Sequence, residues 1–222
     1  MSTNKETFLG EIRAKLSAGR PNAVDLPSEE ATARMRLAAG ERPALIEKFV
    51  RGAEAAEMVT YRCGDAASLR EKMTDLIARL QASRIVLGED DLVKELELRE
   101  TIAAIDGVEI LSFNDGAASP REAAFAADCG ITVADAALAE TGSLILRSSA
   151  RSPLLLSLAP TVHICIVEAQ HLVADLLDFL HPESLSDGTV TLVTGPSKTA
   201  DIEMTLVRGA HGPMAEHVFI LE

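Results

Sequence analysis

Three short segments of this 222-residue chain put residues that can bind or activate a ligand at close spacing. Gly195-Pro196-Ser197-Lys198-Thr199 directly follows the apolar run Thr189-Val-Thr-Leu-Val-Thr. If Thr199 caps a helix there, the free N–H groups of its first turn carry partial positive charge. A phosphate or carboxylate could then dock with help from Ser197, Thr199 and the ammonium of Lys198. The alternative is an ordinary strand-to-helix turn, and position at the carboxyl end of a strand favours the binding reading. The Gly-x4-Gly-Lys-Ser/Thr spacing of a P-loop is absent, as is any GxGxxG fingerprint.

The second segment is Glu140-Thr141-Gly142-Ser143. A carboxylate at a glycine-relieved strand end can serve as general base or nucleophile if desolvation raises its pKa. Alternatively, Glu140 accepts backbone hydrogen bonds and holds the turn. Ser143 has no adjacent His-Asp arrangement, which argues against a serine hydrolase. The third segment, Arg208-Gly209-Ala-His211-Gly-Pro, gathers a cation and an imidazole in one loop; Arg208 suits a bidentate carboxylate and His211 a proton transfer, with a structural turn as the competing reading. His163 reads as a satisfied core or rim histidine, and His171, His181 and His217 as helix-end or surface residues. No metal site is expected, because no pair has ligand spacing. Asp201 and Glu203 are too close in sequence to share a helical face.

Composition narrows the classes of function. A formal net charge of -13 argues against a nucleic-acid partner, and with no Trp and one Tyr there is little for base stacking. No stretch approaches the ~20 apolar residues of a membrane span, and the opening Met-Ser-Thr-Asn-Lys-Glu lacks a signal-type apolar region, so a cytoplasmic protein is expected. Cys63, Cys129 and Cys165 form neither a disulfide framework nor a cluster ligand set; each is expected to be a small buried residue, with no cofactor in this chain.

The elements that position these segments follow from periodicity. Phe8, Ile12 and Leu16 give one helix, capped at Thr3 or Asn4 and stopped by Gly19 and Pro21. Further helical patterns cover Ser28 to Ala39 and Pro43 to Glu57, so residues 1–57 read as a helical N-terminal region. From residue 58 to 222 short β-like runs alternate with helices, the pattern of a largely parallel central sheet with flanking helices. The expected strands begin with Met58–Tyr61, Arg84–Leu87 and Val108–Phe113. Asp65 caps a helix carrying Leu69, Met73, Leu76, Ile77 and Leu80; others cover Asp91 to Ile105 and Pro120 to Ala127. Gly130–Val133, then Ala134 to Ala139, then Ser143–Ser148, broken by Glu140-Thr-Gly, imply a hairpin or kinked strand pair. A short helix after Pro153, a strand from His163, a helix from Gln170 to Leu180, and strands at Thr189–Thr194 and His217–Leu221 complete the α/β pattern.

Taken together, Ala134-Asp-Ala-Ala-Leu-Ala-Glu-Thr-Gly-Ser-Leu, Leu156-Ser-Leu-Ala-Pro-Thr-Val-His-Ile and Gly195-Pro-Ser-Lys-Thr-Ala-Asp-Ile-Glu through Val207-Arg-Gly-Ala-His-Gly-Pro resemble the LUD domain family from about residue 58 to the C-terminus. The resemblance implies a fold similar to the sugar-phosphate isomerase and CoA-transferase group. It also implies participation in oxidation of L-lactate to pyruvate, with iron–sulfur clusters in partner oxidoreductase subunits. The chain departs from the family pattern at Leu158-Ala-Pro-Thr, at Leu154 with Arg151 upstream, and at Met214, positions where relatives often carry Leu-Pro-Pro or a basic residue. Two functions from different classes follow. One is a non-redox, anion-binding component of a lactate-oxidising complex; the other is a self-sufficient transferase or isomerase using Glu140.

Overall fold

The computed structural model describes residues 5–18, 41–114, 118–180, 189–199, 207–208 and 211–222. The chain divides into two compact units, Met1–Arg36 and Leu37–Glu222. In the first, Lys5–Ala18 is helical; its expected caps at Thr3 or Asn4 and the expected Ser28 to Ala39 helix lie outside the described residues. Among the described residues no helix is long and apolar enough to cross a membrane.

The second unit is mixed α/β. Its centre is a six-stranded, all-parallel sheet in the order β1 (Val59–Cys63), β12 (Ala215–Leu221), β7 (Val162–Glu168), β4 (Cys129–Val133), β2 (Arg84–Leu87) and β3 (Glu109–Leu111). Its middle strands read as continuous apolar runs because both faces are covered. Successive residues of β7 therefore serve opposite cores. Ile164 and Ile166 join Leu69, Met73, Ile77, Leu98 and Ile102 on one face. Cys165 and Val167 join Leu45, Ile46, Phe49 and Ala53 on the other.

The second face carries a smaller four-stranded sheet, ordered β8 (Leu172–Val173), β5 (Ala136–Leu138), β6 (Ser143–Arg147) and β9 (Val190–Val193). β5 and β6 form an antiparallel hairpin, in agreement with the strand reversal read at Gly142. The helix Arg42–Ala55 packs beside it, started by a Pro in its first turn and burying Leu45, Ile46, Phe49 and Ala53.

Local signals account for several boundaries. The Asp65 carboxylate accepts the Ser68 amide at 2.7 Å and starts helix Ala66–Leu80. Ser119 and Glu122 form a reciprocal capping box ahead of Pro120–Ala126. Three differences from expectation have identifiable causes. The segment read as one helix from Asp91 splits into Asp91–Glu95 and Leu98–Ala103, because Glu97 adopts a left-handed conformation that lets Leu96 and Leu98 both bury. The helix expected from Gln170 to Leu180 is a 3-10 turn (Ala169–His171), strand β8, and a single turn Leu176–Phe179 capped by Asp175. Pairing of Leu172–Val173 with β5 outweighs helix propensity there. His217, read as a helix-end or surface residue, is buried on β12 with Nδ1 3.3 Å from the Tyr61 hydroxyl.

Two predictions follow from this packing. Gly142 has φ +69°, and a Cβ there would lie 2.0 Å from the Ala53 amide nitrogen, so Gly142→Ala is expected to cost about 2 kcal/mol or more. Urea unfolding reads this as a lower midpoint at unchanged slope. Burial, aided by Arg79, pushes the His217 pKa from 6.5 down to about 4. A histidine depressed in the folded state contributes stability that is present above pH 6.5 and lost as pH falls toward 4. Thermal midpoints of the wild type should thus fall more steeply across that window than those of His217→Phe; parallel curves would place the titration elsewhere.

Candidate functional site

In an open parallel sheet, a crevice forms where the connections leaving two neighbouring strands run in opposite directions. Here that occurs between β2 and β4. The chain leaving β2 crosses to β3 on one side, whereas the chain leaving β4 passes through the small sheet and returns as β7 on the other. Outside the carboxyl ends of these strands lies a cleft of about 560 Å³ lined by Asp90, Asp91, Leu92, Val133, Ala134, Asp135, Arg147, Ser149 and His171.

Backbone pairing holds its walls. The Gly88 amide donates to Ile131 O at 2.9 Å, and the Glu89 amide to Arg151 O at 2.8 Å. Arg151 returns Nε to Glu89 O at 2.9 Å and pairs its guanidinium with Asp91, holding the Asp91 carboxyl below its usual range. At the end of β6, the Arg147 amide donates to Asp135 Oδ2 at 2.8 Å, and its Nε lies 3.7 Å from Oδ1. His171 Nδ1 sits 3.4 Å from Glu168. Asp90 differs from its neighbours: Oδ2 is shut off from solvent with no hydrogen-bond partner among the described residues. Burial pushes its carboxyl up, against the opposing pull of Ser152 and Arg151. A guanidinium beside carboxylates of unequal proton affinity can clamp a ligand carboxylate and exchange a proton with a nearby hydroxyl.

Behind the cleft is a smaller cavity of about 10 Å³, sharing Val133 and Arg147 with it and walled also by Thr132, Ser152 and Ser157. Thr132 Oγ1 lies 2.8 Å from His163 Nε2, and His163 Nδ1 contacts Glu216. His163 is thus a satisfied core histidine, as read from sequence, and it is 0% exposed with its Glu216 partner at 1%. Burial raises the Glu216 carboxyl, partly offset by His163.

The residues singled out in the sequence lie at the opposite, amino edge of the six-stranded sheet. The turn Glu140–Gly142 closes the β5–β6 hairpin, with the Glu140 amide donating to Ala174 O at 3.0 Å and the Gly142 amide to Leu138 O at 2.9 Å. The Glu140 side chain is exposed, so the desolvation invoked for a general base does not act on it. Thr141, Ser143 and Thr194 form a chain of hydroxyls at 2.7 Å steps, which joins this turn to the start of the Gly195 segment. Both segments rest on the last turn of helix Arg42–Ala55: Gly142 against Gly52 and Ala53, and Gly195, at φ +84°, against Ala56 O.

The residues after Thr199, where the expected helix would begin, lie outside the described residues. Lys198–Thr199 is strand β10, paired antiparallel with β11 (Val207–Arg208). The nearby helix presents its carboxyl end, whose partial charge is negative. Pro196 is buried, the Ser197 amide donates to Pro213 O at 2.8 Å, and the His211 amide reaches Ser197 Oγ at 3.4 Å. The Lys198 ammonium is 2.7 Å from Glu57. These contacts bring Ser197 and His211 together, while Gly209 lies outside the described residues. Among the described residues of the expected anion cradle, Lys198 is paired with Glu57 and Ser197 with backbone. Asp90, Asp135, Arg147, Ser149 and His171 were missed by sequence reasoning. The available signal was acidic residues immediately after two apolar strands, and its meaning depends on strand order.

A family model described as LUD domain matches residues 46–221. Lactate utilization protein C of an Exiguobacterium species is 32% identical, over 96% of this chain and 93% of that protein. Lactate utilization protein C of Bacillus licheniformis is 28% identical over 99% and 96%. An Escherichia coli protein called uncharacterized protein YkgG is 26% identical over 99% and 98%. Among solved structures, a DUF162 family protein from Deinococcus radiodurans superposes with a TM-score of 0.60 at 20% identity, covering 82% of this chain and 99% of that one, a likeness of fold. With the family model spanning most of the chain and a relative similar along nearly its whole length, the chain belongs to the LUD domain family.

Proposed function

We propose that this chain acts in lactate utilization as a cytoplasmic, non-redox component that binds a small 2-hydroxy or 2-oxo carboxylate in the carboxyl-edge cleft, alongside iron–sulfur and oxidoreductase partner subunits. The observation that carries the ligand reading is Arg147, at the strand-order reversal, beside Asp135 and the half-buried Asp90. Arg147 meets the ligand carboxylate, and Asp90 accepts a hydrogen bond or proton from its hydroxyl. Relatives named lactate utilization protein C supply the metabolic setting. The division of labour is supported by the thiols. Cys63, Cys129 and Cys165 are all buried, and burial raises the pKa of each, that of Cys129 to about 12.

A second reading is favoured by the chain of Thr141, Ser143 and Thr194 hydroxyls at the hairpin tip that carries Glu140: an acyl-transfer or isomerisation enzyme with Glu140 as nucleophile or base. Titration calorimetry with L-lactate and pyruvate separates the two. Arg147→Met should weaken binding at least about tenfold, the loss of a charge-assisted contact, whereas Glu140→Gln leaves it unchanged. A wild-type chain that gives no binding heat with either compound would retire the cleft ligand. On acyl-CoA and sugar-phosphate panels the second reading requires wild-type turnover that falls about 100-fold or more in Glu140→Gln at unchanged melting temperature; an inactive wild type counts against it. Affinity capture of the full chain from native cells should recover iron–sulfur subunits, and their absence would remove the partner assignment.

A further inference from the structure

The least expected polar group in the molecule is the Glu216–His163–Thr132 chain across the middle of the parallel sheet. In register, His163 stands between Gly130 on β4 and Glu216 on β12. The space beside the Gly130 Cα is taken by Leu156 O, and the imidazole reaches past it to Thr132, two residues further along the same face. A buried pair carrying a net negative charge would be costly, so the pair retains two protons between its carboxyl and ring. Whether written as carboxylate and imidazolium or as their neutral forms, His163 Nε2 then bears hydrogen and donates to Thr132 Oγ1. The direction of the Thr132 hydroxyl is thereby set: its O–H turns toward Cys165 Sγ at 3.8 Å, and its second lone pair remains for the small cavity.

That cavity, of about 10 Å³, has room for roughly one water and is walled by Thr132 on one side and Arg147 on another. Arg147 is the residue it shares with the ligand cleft that can donate through its side chain. We propose that Thr132, His163 and Glu216 are positioning residues for Arg147: the buried pair orients the Thr132 oxygen as an acceptor that holds the guanidinium, through one water in the small cavity, in the pose that faces the cleft. The ligand arm of the test rests on the carboxylate reading above; the positioning arm does not.

The experiment uses the full chain labelled with ¹⁵N-arginine and compares the wild type with Thr132→Ser, Thr132→Val and the double variant His163→Leu/Glu216→Leu. The Arg147 Nε–H should exchange slowly in the wild type and in Thr132→Ser, which keeps the hydroxyl. In Thr132→Val and in the double variant it should exchange at least about tenfold faster, the scale of one lost hydrogen bond. The double variant is expected to melt at the wild-type temperature or above, since apolar replacement of a buried ionisable pair is often neutral or stabilising. Faster exchange without lower stability is a result that a purely structural pair does not produce. Should the double variant fail to fold, the serine and valine variants decide alone. Equal Arg147 protection in wild type and Thr132→Val overturns the proposal. L-lactate and pyruvate titrations on the same samples should show weakened binding where exchange is fast. A wild type that binds neither compound while Arg147 protection still depends on the Thr132 hydroxyl removes the ligand reading and leaves the positioning role standing.

Discussion

The pairing of strand Val162–Glu168 along both edges, to Cys129–Val133 on one side and Ala215–Leu221 on the other, is the constraint on which the rest of the second unit depends. It is the seam between two cores, and its side-chain alternation assigns residues to each. A one-residue slip would exchange the two sets and carry His163 to the opposite face, away from Thr132 and Glu216. Beside it, the pairing of β4 with β2 aligns the strand ends whose connections wall the cleft from two directions. Fold and site are thus specified by one set of backbone hydrogen bonds.

Much of this architecture is legible in the residues. Asp65, Ser119 and Pro120 announce helix starts by side-chain chemistry that acts over three or four positions, and the structure uses each of them. Arg84–Leu87 is a strand with the expected bounds, because a short run of branched residues suits a sheet covered on both faces. What failed to show was decided at long range. Leu172–Val173 becomes a strand because β5 is waiting for it, and His217 is buried because Tyr61 and Phe219 lie beside it. The cleft was hidden for the same reason. Asp90 and Asp135 are 45 residues apart in number, and they converge only when β2 and β4 become neighbours.

The two ends of the sheet differ in electrostatic character. At the amino edge Lys198 pairs with Glu57 next to the carboxyl end of a helix, Asp128 accepts from Ser83 and Arg84, and the Thr141, Ser143 and Thr194 hydroxyls contact one another. At the carboxyl edge, Asp91 and Arg151 are tightly paired, Asp135 and Arg147 are more loosely matched, and Asp90 has an oxygen buried without a partner among the described residues. Polar groups left this way are costly in a folded chain and are characteristic of places where something else completes them. The family-like segments reach both ends: Ala134 and Asp135 line the cleft, whereas the Thr141, Ser143 and Thr194 hydroxyls at the amino edge satisfy one another.

The double contact of Gly142 and Gly195 with the last turn of helix Arg42–Ala55 bears on how the molecule can move. With backbone against backbone at both points, there is no side chain to act as a compliant spacer, so the hairpin tip, the helix end and the strand leading into Gly195 form one stiff block. Any hinge that accommodates a guest must then lie at the other end of the sheet. The hairpin is thus a lever whose fulcrum is locked.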